Sequence, residues 1–403
     1  MPQSFHIVNL GCKVNRVEAD NAAALLLLKG CCESDLEAAD IVVVNTCTVT
    51  GEADKKARKA VRHALAANTQ ARVVVTGCSA ALDPQTYLSL DPRVEVVGRS
   101  DLATSIAGES ADGPLLRIGD SFRTRVNLKV QDGCDHACTY CIVHVARGKA
   151  TSVPIVSALE EARRYLDCNV AEIVLAGIDV GSYRSDGADL AVLTRKLKDL
   201  CDDHFDKTGF RSRIRLSSVE PVSVTESLAT LIAASQGTVC RHLHLPLQSG
   251  SSKVLAEMNR PYSAEQFVDL VRRLRSLMPT LSLTTDIIVG FPGESDDDFE
   301  RTLQVARTCG FSKIHVFPYS MREGTPAAQR KDQIDPEVKA MRARTLRSLS
   351  NELANEDYLS RIGTTEFAVV EPGQVLTESY HVLPVPEGAE IGRLVELVIP
   401  SRK

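Results

Sequence analysis

The segment Cys134-Asp135-His136-Ala137-Cys138-Thr139-Tyr140-Cys141 sets three thiols in a C-x3-C-x2-C pattern, directly after Gly133 and a strand-like run. Three thiolates this close on one loop can hold three irons of a [4Fe–4S] cluster. The fourth iron then lacks a protein ligand, and an open position on a metal is where a substrate can be activated. His136 or His144 could instead complete a Cys3His zinc site.

A second set is dispersed. Cys12, Cys47 and Cys78 follow the strand-like runs Phe5–Leu10, Ile41–Asn45 and Arg72–Thr76, at spacings of 35 and 31 residues. Each spacing is the length of one βαβ unit. In an open parallel sheet the C-terminal strand ends share one edge, and ligands bind there. The three thiols should therefore converge into a second iron–sulfur site, again with one open iron. The other six cysteines, Cys31, Cys32, Cys168, Cys201, Cys240 and Cys309, have no ligand-like spacing and are expected to pack as small hydrophobes. Twelve cysteines in 403 residues is far below the ~8–10% of a disulfide scaffold.

These thiols need elements to position them. Residues 1–120 alternate strand-like runs (the three above and Arg93–Val97) with helical patterns such as Glu18–Leu28 and Ala53–Ala67. That alternation predicts an α/β domain with a doubly wound parallel sheet. Residues 121–360 repeat the alternation on a longer scale. Strand candidates are Val126–Val130, Glu172–Ala176, Arg213–Ser217, His242–Leu247, Thr284–Val289 and Lys313–Pro318, each followed by a helical stretch. Six β/α units fit a complete or partial β/α barrel with its site at the strands' C-terminal ends. A helical segment from Pro336 to Leu359 leads to residues 361–403, where Glu366–Glu371, Tyr380–Val385 and Leu394–Ile399 predict a small all-β module.

Charge and hydropathy narrow the partners. Met1–Leu10 shows no basic stretch followed by an apolar one, and the longest apolar run, Ala22–Leu28, is seven residues. A membrane span needs about 20, so a cytoplasmic protein with no membrane partner is expected. Net charge is −5, divided as −3, 0 and −2 over the three regions. No region is basic overall, so nucleic acid must be met by local clusters. Candidates are Lys55, Lys56, Arg58, Lys59 and Arg62; Arg123, Arg125 and Lys129; and Lys339, Arg342, Arg344 and Arg347.

The cysteine loop resembles the signature of the radical S-adenosylmethionine (radical SAM) enzymes. Cys12, Cys47 and Cys78 resemble the amino-terminal domain of the methylthiotransferases, and the last module is similar to their TRAM domain. Leu10-Gly11-Cys12-Lys13-Val14-Asn15, Asn45-Thr46-Cys47-Thr48-Val49-Thr50, His244-Leu245-Pro246-Leu247-Gln248-Ser249-Gly250 and His315-Val316-Phe317-Pro318-Tyr319-Ser320 resemble the MtaB-type branch, as does Gly324-Thr325-Pro326. That resemblance implies methylthiolation of the adenine C-2 of threonylcarbamoyladenosine beside the anticodon of tRNA. Related branches act on isopentenyladenosine (MiaB) or on a ribosomal-protein aspartate (RimO). A zinc-stabilised RNA-binding protein without turnover is the alternative of another class.

The implied cofactors are S-adenosylmethionine and two [4Fe–4S] clusters. Cys134, Cys138 and Cys141 would hold the catalytic cluster, whose open iron chelates S-adenosylmethionine for cleavage to a 5′-deoxyadenosyl radical. Cys12, Cys47 and Cys78 would hold the cluster that delivers the methylated sulfur. An electron donor and a sulfur donor are required, neither identified by the sequence. Barrel geometry adds cofactor-pocket candidates at the strand ends: Ala176, Gly177 and Ile178; Ser217, Ser218 and Glu220; Gln248 and Ser249; Gly290 and Gly293; and Tyr140 between the cluster ligands. Two features depart from the family pattern. His144 stands where the family has proline, and the last module is acidic, so it is poorly suited to gripping RNA.

Overall fold

The computed structural model describes residues 3–99, 101–107 and 124–401. They form two compact units. The first takes the residues up to 107 with Asp132–His136 and Cys141–Lys149; the second takes residues 124–131, Ala137–Tyr140 and 150–401. Arg123 lies outside the described residues.

The first unit is a five-stranded parallel sheet. Its strands are β1 (Ser4–Asn9), β2 (Cys32–Glu33), β3 (Ile41–Thr46), β4 (Arg72–Gly77) and β5 (Val94–Val96), in the order β2-β1-β3-β4-β5. Its helices are α1 (Lys13–Leu28), α2 (Gly51–Ala67), α3 (Cys78–Leu82), α4 (Pro84–Leu88), α5 (Leu102–Ala107) and α6 (Val143–Arg147). The valine runs of β3 and β4 are buried throughout because both sheet faces are covered. Val42, Val44, Val73 and Val75 pack with Ala57, Val61 and Ala64 of α2. Ile41, Val43 and Val74 face Ala22, Ala23 and Leu26 of α1, with Leu102 of α5. This is the doubly wound arrangement expected. Helix α2 starts where the Thr50 side chain accepts from the Ala53 amide, a cap worth about 1 kcal/mol.

The second unit carries six parallel barrel strands: β6 (Arg125–Lys129), β7 (Glu172–Ala176), β8 (Arg213–Leu216), β9 (His242–His244), β10 (Ser282–Val289) and β11 (Lys313–Pro318). They form two triplets, β8-β7-β6 and β9-β10-β11. Parallel bridges Ile214↔Val239 and Ser218↔His244 join the triplets. The result is a partial barrel. The helices after its strands are α7 (Ile155–Asp167), α8 (Leu190–Thr208), α9 (Glu226–Ala234), α10 (Ser252–Glu257), α11 (Ala264–Leu277), α12 (Asp296–Cys309) and α13 (Pro336–Arg361).

The C-terminal residues form an antiparallel sheet of β12 (Thr365–Glu371), β13 (Gln374–Thr377), β14 (Val382–Leu383) and β15 (Leu394–Val398). It is seated on the N-terminal ends of the barrel strands. Arg213 donates to the Phe367 and Leu376 carbonyls (2.6 and 3.1 Å), and Arg215 to those of Glu378 and Thr377 (2.7 and 3.2 Å). Both guanidiniums are fully buried and share the Glu172 carboxylate. Burial alone would raise the Glu172 pKa, but Arg215 and Arg213 outweigh it and hold the carboxyl ionised well below the usual range.

Four expectations are corrected. The strand expected over Tyr380–Val385 shrinks to Val382–Leu383, because Tyr380 has a left-handed φ of 69° that a strand cannot carry. The module instead gains Gln374–Thr377, which the sequence pattern did not single out. Arg342 and Arg125 are not available to nucleic acid. Arg342 is buried against Glu294 and Asp296 (2.7 and 2.6 Å), and Arg125 pairs with Glu371 at 2.7 Å. Cys32 is exposed on the edge strand β2 rather than packed. Among the described residues no helix is long and apolar enough to cross a membrane.

Candidate functional site: two cysteine sets and the arginines that face them

In the first unit, Cys12 immediately precedes α1, Cys47 follows β3 and Cys78 opens α3. The strand order reverses between β1 and β3, which is where open α/β sheets bind ligands. The thiols sense one another: Cys12 and Cys78 both push the Cys47 pKa up, after burial, which is the largest cause. Gly77 makes this approach possible. Its φ is +96°, and a Cβ there would lie 2.3 Å from the Thr46 carbonyl oxygen. A buried amide lattice ties the strand ends. Asn15 donates to Asn45 Oδ1 (2.8 Å) and the Thr46 carbonyl (3.0 Å), and Asn45 donates back to the Asn15 carbonyl at 2.7 Å.

Arg147, from α6, completes this set. Its Nε lies 3.1 Å from Cys78 Sγ, while the rest of the guanidinium meets Asn15 Oδ1 (2.7 Å), Asp132 (2.8 Å) and Glu18 (3.1 Å). Burial disfavours its charge, but Glu18, Cys78 and Asp132 outweigh that and keep it protonated. Arg99 adds a longer contact to Cys78 Sγ at 3.7 Å. Burial raises the Cys78 pKa and the two arginines oppose it.

On the cysteine loop every sulfur accepts a hydrogen bond. The His136 amide reaches Cys134 Sγ and the Val143 amide reaches Cys141 Sγ, both at 3.4 Å. In the second unit Arg260 reaches Cys138 Sγ at 3.2 Å. Arg260 is buried and held by Glu220 and by the Tyr262 hydroxyl, which itself donates to the Pro246 carbonyl at 2.6 Å. Donors of this kind stabilise thiolate sulfur, so both sets suit metal-bound thiolates.

A model of the radical SAM superfamily matches residues 128–306. A model described as uncharacterized protein family UPF0004 matches residues 4–98. The chain is 38% identical over 384 residues to the threonylcarbamoyladenosine tRNA methylthiotransferase MtaB of Chlamydia pneumoniae, covering 93% of this chain and 89% of that protein. This chain belongs to the MtaB-type methylthiotransferase family. The MtaB of Bacillus subtilis is 37% identical, over 88% of this chain and 81% of its own length. A tRNA-2-methylthio-N(6)-dimethylallyladenosine synthase of Lawsonia intracellularis is 32% identical, over 92% and 87%. Among solved structures, the radical S-adenosylmethionine methyltransferase TsrM of Kitasatospora setae aligns with a TM-score of 0.54 at 15% identity, over 81% of this chain and 77% of its own. That likeness concerns the fold alone.

Membership of this methylthiotransferase family brings a [4Fe–4S] cluster and S-adenosylmethionine as cofactors. The pocket candidates fall into two groups. Ala176, Gly177 and Ile178 follow β7, where Gln131 Oε1 accepts from the Ile178 and Asp179 amides (both 2.9 Å) and fixes the turn. The Ser217 hydroxyl is buried without a hydrogen-bond partner just past β8, so a polar ligand atom fits there. Ser218 and Gln248 are held in the sheet by parallel bridges. Tyr140 packs against a cluster that includes Met258, Phe291 and Tyr319.

The others are engaged within the fold. Glu220 is the partner of Arg260. Ser249 is fully buried with its hydroxyl against Thr302 of α12. Gly290 donates its amide to Glu294 at 2.6 Å, and a Cβ there would meet Lys339 at 2.4 Å. A Cβ at Gly293 would meet Arg330 at 2.4 Å. His144 lies in α6 with Nδ1 buried and unpartnered. Sequence reasoning singled out none of Arg260, Gln131 and Arg147 as a site residue. The one available signal was the Arg260-Pro261 pair between two helices, which is weak.

Proposed function

We propose that this chain methylthiolates C-2 of the adenine of threonylcarbamoyladenosine, beside the anticodon of tRNA, with two [4Fe–4S] clusters. The closeness of Cys47 to Cys12 and Cys78, past three parallel strands, with Arg147 on Cys78, supports the two-cluster reading. Cys134, Cys138 and Cys141 are assigned to the catalytic cluster. When bound, that cluster and S-adenosylmethionine supply a carbon radical able to take hydrogen from an unactivated C–H bond.

The chain's own residues bind and orient. Arg260 holds positive charge at Cys138, with Glu220 balancing it. Arg147 does the same at Cys78, with Glu18 and Asp132 as its counter-charges. Gln131 fixes the turn after β7, and the Ser217 hydroxyl is poised for a polar atom of the cofactor. The exposed basic face of α2 (Lys55, Lys56, Lys59, Arg62) is assigned to tRNA phosphates. The C-terminal module, whose Tyr380 stacks on Arg215 and whose His381 pairs with Asp357, is assigned to closing the base of the barrel. A low-potential electron donor and a sulfur donor are required partners.

Anaerobic reconstitution should give about eight irons per chain, about four for each cluster. With reductant, sulfide and S-adenosylmethionine, tRNA carrying threonylcarbamoyladenosine should yield its 2-methylthio derivative. A ceiling near four irons would remove the second cluster. Methylthiolation of dimethylallyladenosine instead would favour the activity named for the Lawsonia relative. Replacing Lys56 and Lys59 by Glu should raise KM for tRNA several-fold and flatten its salt dependence, with kcat little changed.

A further inference from the structure

His244, Asp286 and His315 stand side by side on β9, β10 and β11, one from each strand. The parallel register pairs His244 with Thr284 and Asp286 with His315. Strand alternation separates His315, which is exposed, from the buried Ile314 beside it. Each of the three residues offers one ligand atom, and these atoms lie within 4.8 Å of one another. His244 Nε2 is 3.3 Å from Asp286 Oδ2, and the His244 and His315 ring centroids are 5.7 Å apart.

We propose that His244, Asp286 and His315, none of them a member of either cysteine set, form a binding site for a divalent first-row transition cation. Two imidazole nitrogens and one carboxylate oxygen make a donor set suited to Zn²⁺, Fe²⁺ or Co²⁺, and leave coordination positions open for an outside ligand. Ca²⁺ is disfavoured, since it takes six to eight oxygens. The surroundings orient the ligands. Thr284 Oγ1 lies 2.9 Å from His244 Nδ1 and 3.0 Å from His242 Nε2. That contact engages Nδ1 and leaves Nε2, the nitrogen nearest Asp286, to face the metal, as outer partners of metal-bound histidines do. All three residues sit on strands hydrogen-bonded to one another, so the donors are held by rigid backbone. A plain ion pair between His244 and Asp286 would not need His315.

The test uses the full chain with its clusters loaded, so that cluster thiolates are occupied. Equilibrium dialysis against Zn²⁺, followed by elemental analysis, should find one zinc more per chain in the wild type than in H315A. X-ray absorption at the zinc edge should show a nitrogen and oxygen shell at about 2.0–2.1 Å without sulfur. Both H315A and D286N should weaken binding at least ~tenfold. His315 is exposed, so H315A is expected to fold; iron content and melting temperature check D286N. Equal zinc uptake by the wild type and both variants would overturn the proposal, and so would a shell containing sulfur.

Discussion

The two cysteine sets use one device on two kinds of scaffold. In the first, Arg147 is buried, faces a cysteine sulfur and is balanced by Glu18 and Asp132. In the second, Arg260 is buried, faces a cysteine sulfur and is balanced by Glu220. What differs is how the sulfurs are delivered. Cys134, Cys138 and Cys141 come from one short loop, so their spacing is written locally. Cys12, Cys47 and Cys78 come from three strand ends, and only the folded sheet with its Asn15–Asn45 lattice brings them together. A loop-borne site should therefore fail through its ligands, and a sheet-borne site through its scaffold as well.

The strongest contrast is between ligands. Cys138→Ala should abolish 5′-deoxyadenosine formation and lower iron by about four per chain. Cys78→Ala should lose a similar amount of iron yet still form 5′-deoxyadenosine, while methylthiolation stops. Chromatography of the nucleosides reads both outcomes, and equal loss of cleavage in the two variants would erase the distinction.

Next come the arginines. Arg260→Met leaves Glu220 buried without its cation and should cost about 3–5 kcal/mol in denaturant unfolding. Arg147→Met should cost a similar amount, about 3–5 kcal/mol, because it leaves Glu18 and Asp132 without their cation. Arg147→Lys keeps the charge without the planar fork, and should hold the fold while releasing iron from the Cys12, Cys47 and Cys78 set faster than wild type. Scaffold dependence predicts a further loss for Asn15→Ala, about 1–3 kcal/mol, because Asn45 then keeps an unsatisfied amide oxygen. Iron loss in that variant, with Cys12, Cys47, Cys78, Cys134, Cys138 and Cys141 all intact, would be the clearest sign of a sheet-borne site.

The smallest effect concerns thiols outside both sets. Burial pushes the Cys201 and Cys309 thiols up to about 12 and Cys240 up to about 11. Because the folded values lie above the unfolded ~8.5, the stability these thiols contribute is complete below that pH and declines as pH rises toward 11–12. In timed alkylation, exposed Cys32 should react at once, while Cys201, Cys240 and Cys309 wait for unfolding.

Much of this was legible in sequence because strand periodicity and cysteine spacing reinforce each other. Glu172–Ala176 and Lys313–Pro318 form as strands with the expected bounds. Convergence of the dispersed cysteines followed from their shared place after parallel strands. Arg260 was not legible, because its role rests on contacts with Cys138 and Glu220, 122 and 40 residues away. Nor was the seating of the C-terminal module, which depends on Arg213 and Arg215. Arginines inside a strand pattern look like solvated positions until a carboxylate such as Glu172 is found beneath them. Tyr380 misled the strand pattern because aromatic type outweighed the turn that its backbone adopts.

Nucleoside mass spectrometry reads the proposed activity without an intermediary. The reconstituted chain is incubated with S-adenosylmethionine, reductant, sulfide and tRNA carrying threonylcarbamoyladenosine. The wild type should form 2-methylthio-threonylcarbamoyladenosine and Cys78→Ala none, with 5′-deoxyadenosine formed by both. Unmodified threonylcarbamoyladenosine in the wild-type reaction, alongside active cleavage of S-adenosylmethionine, would contradict it.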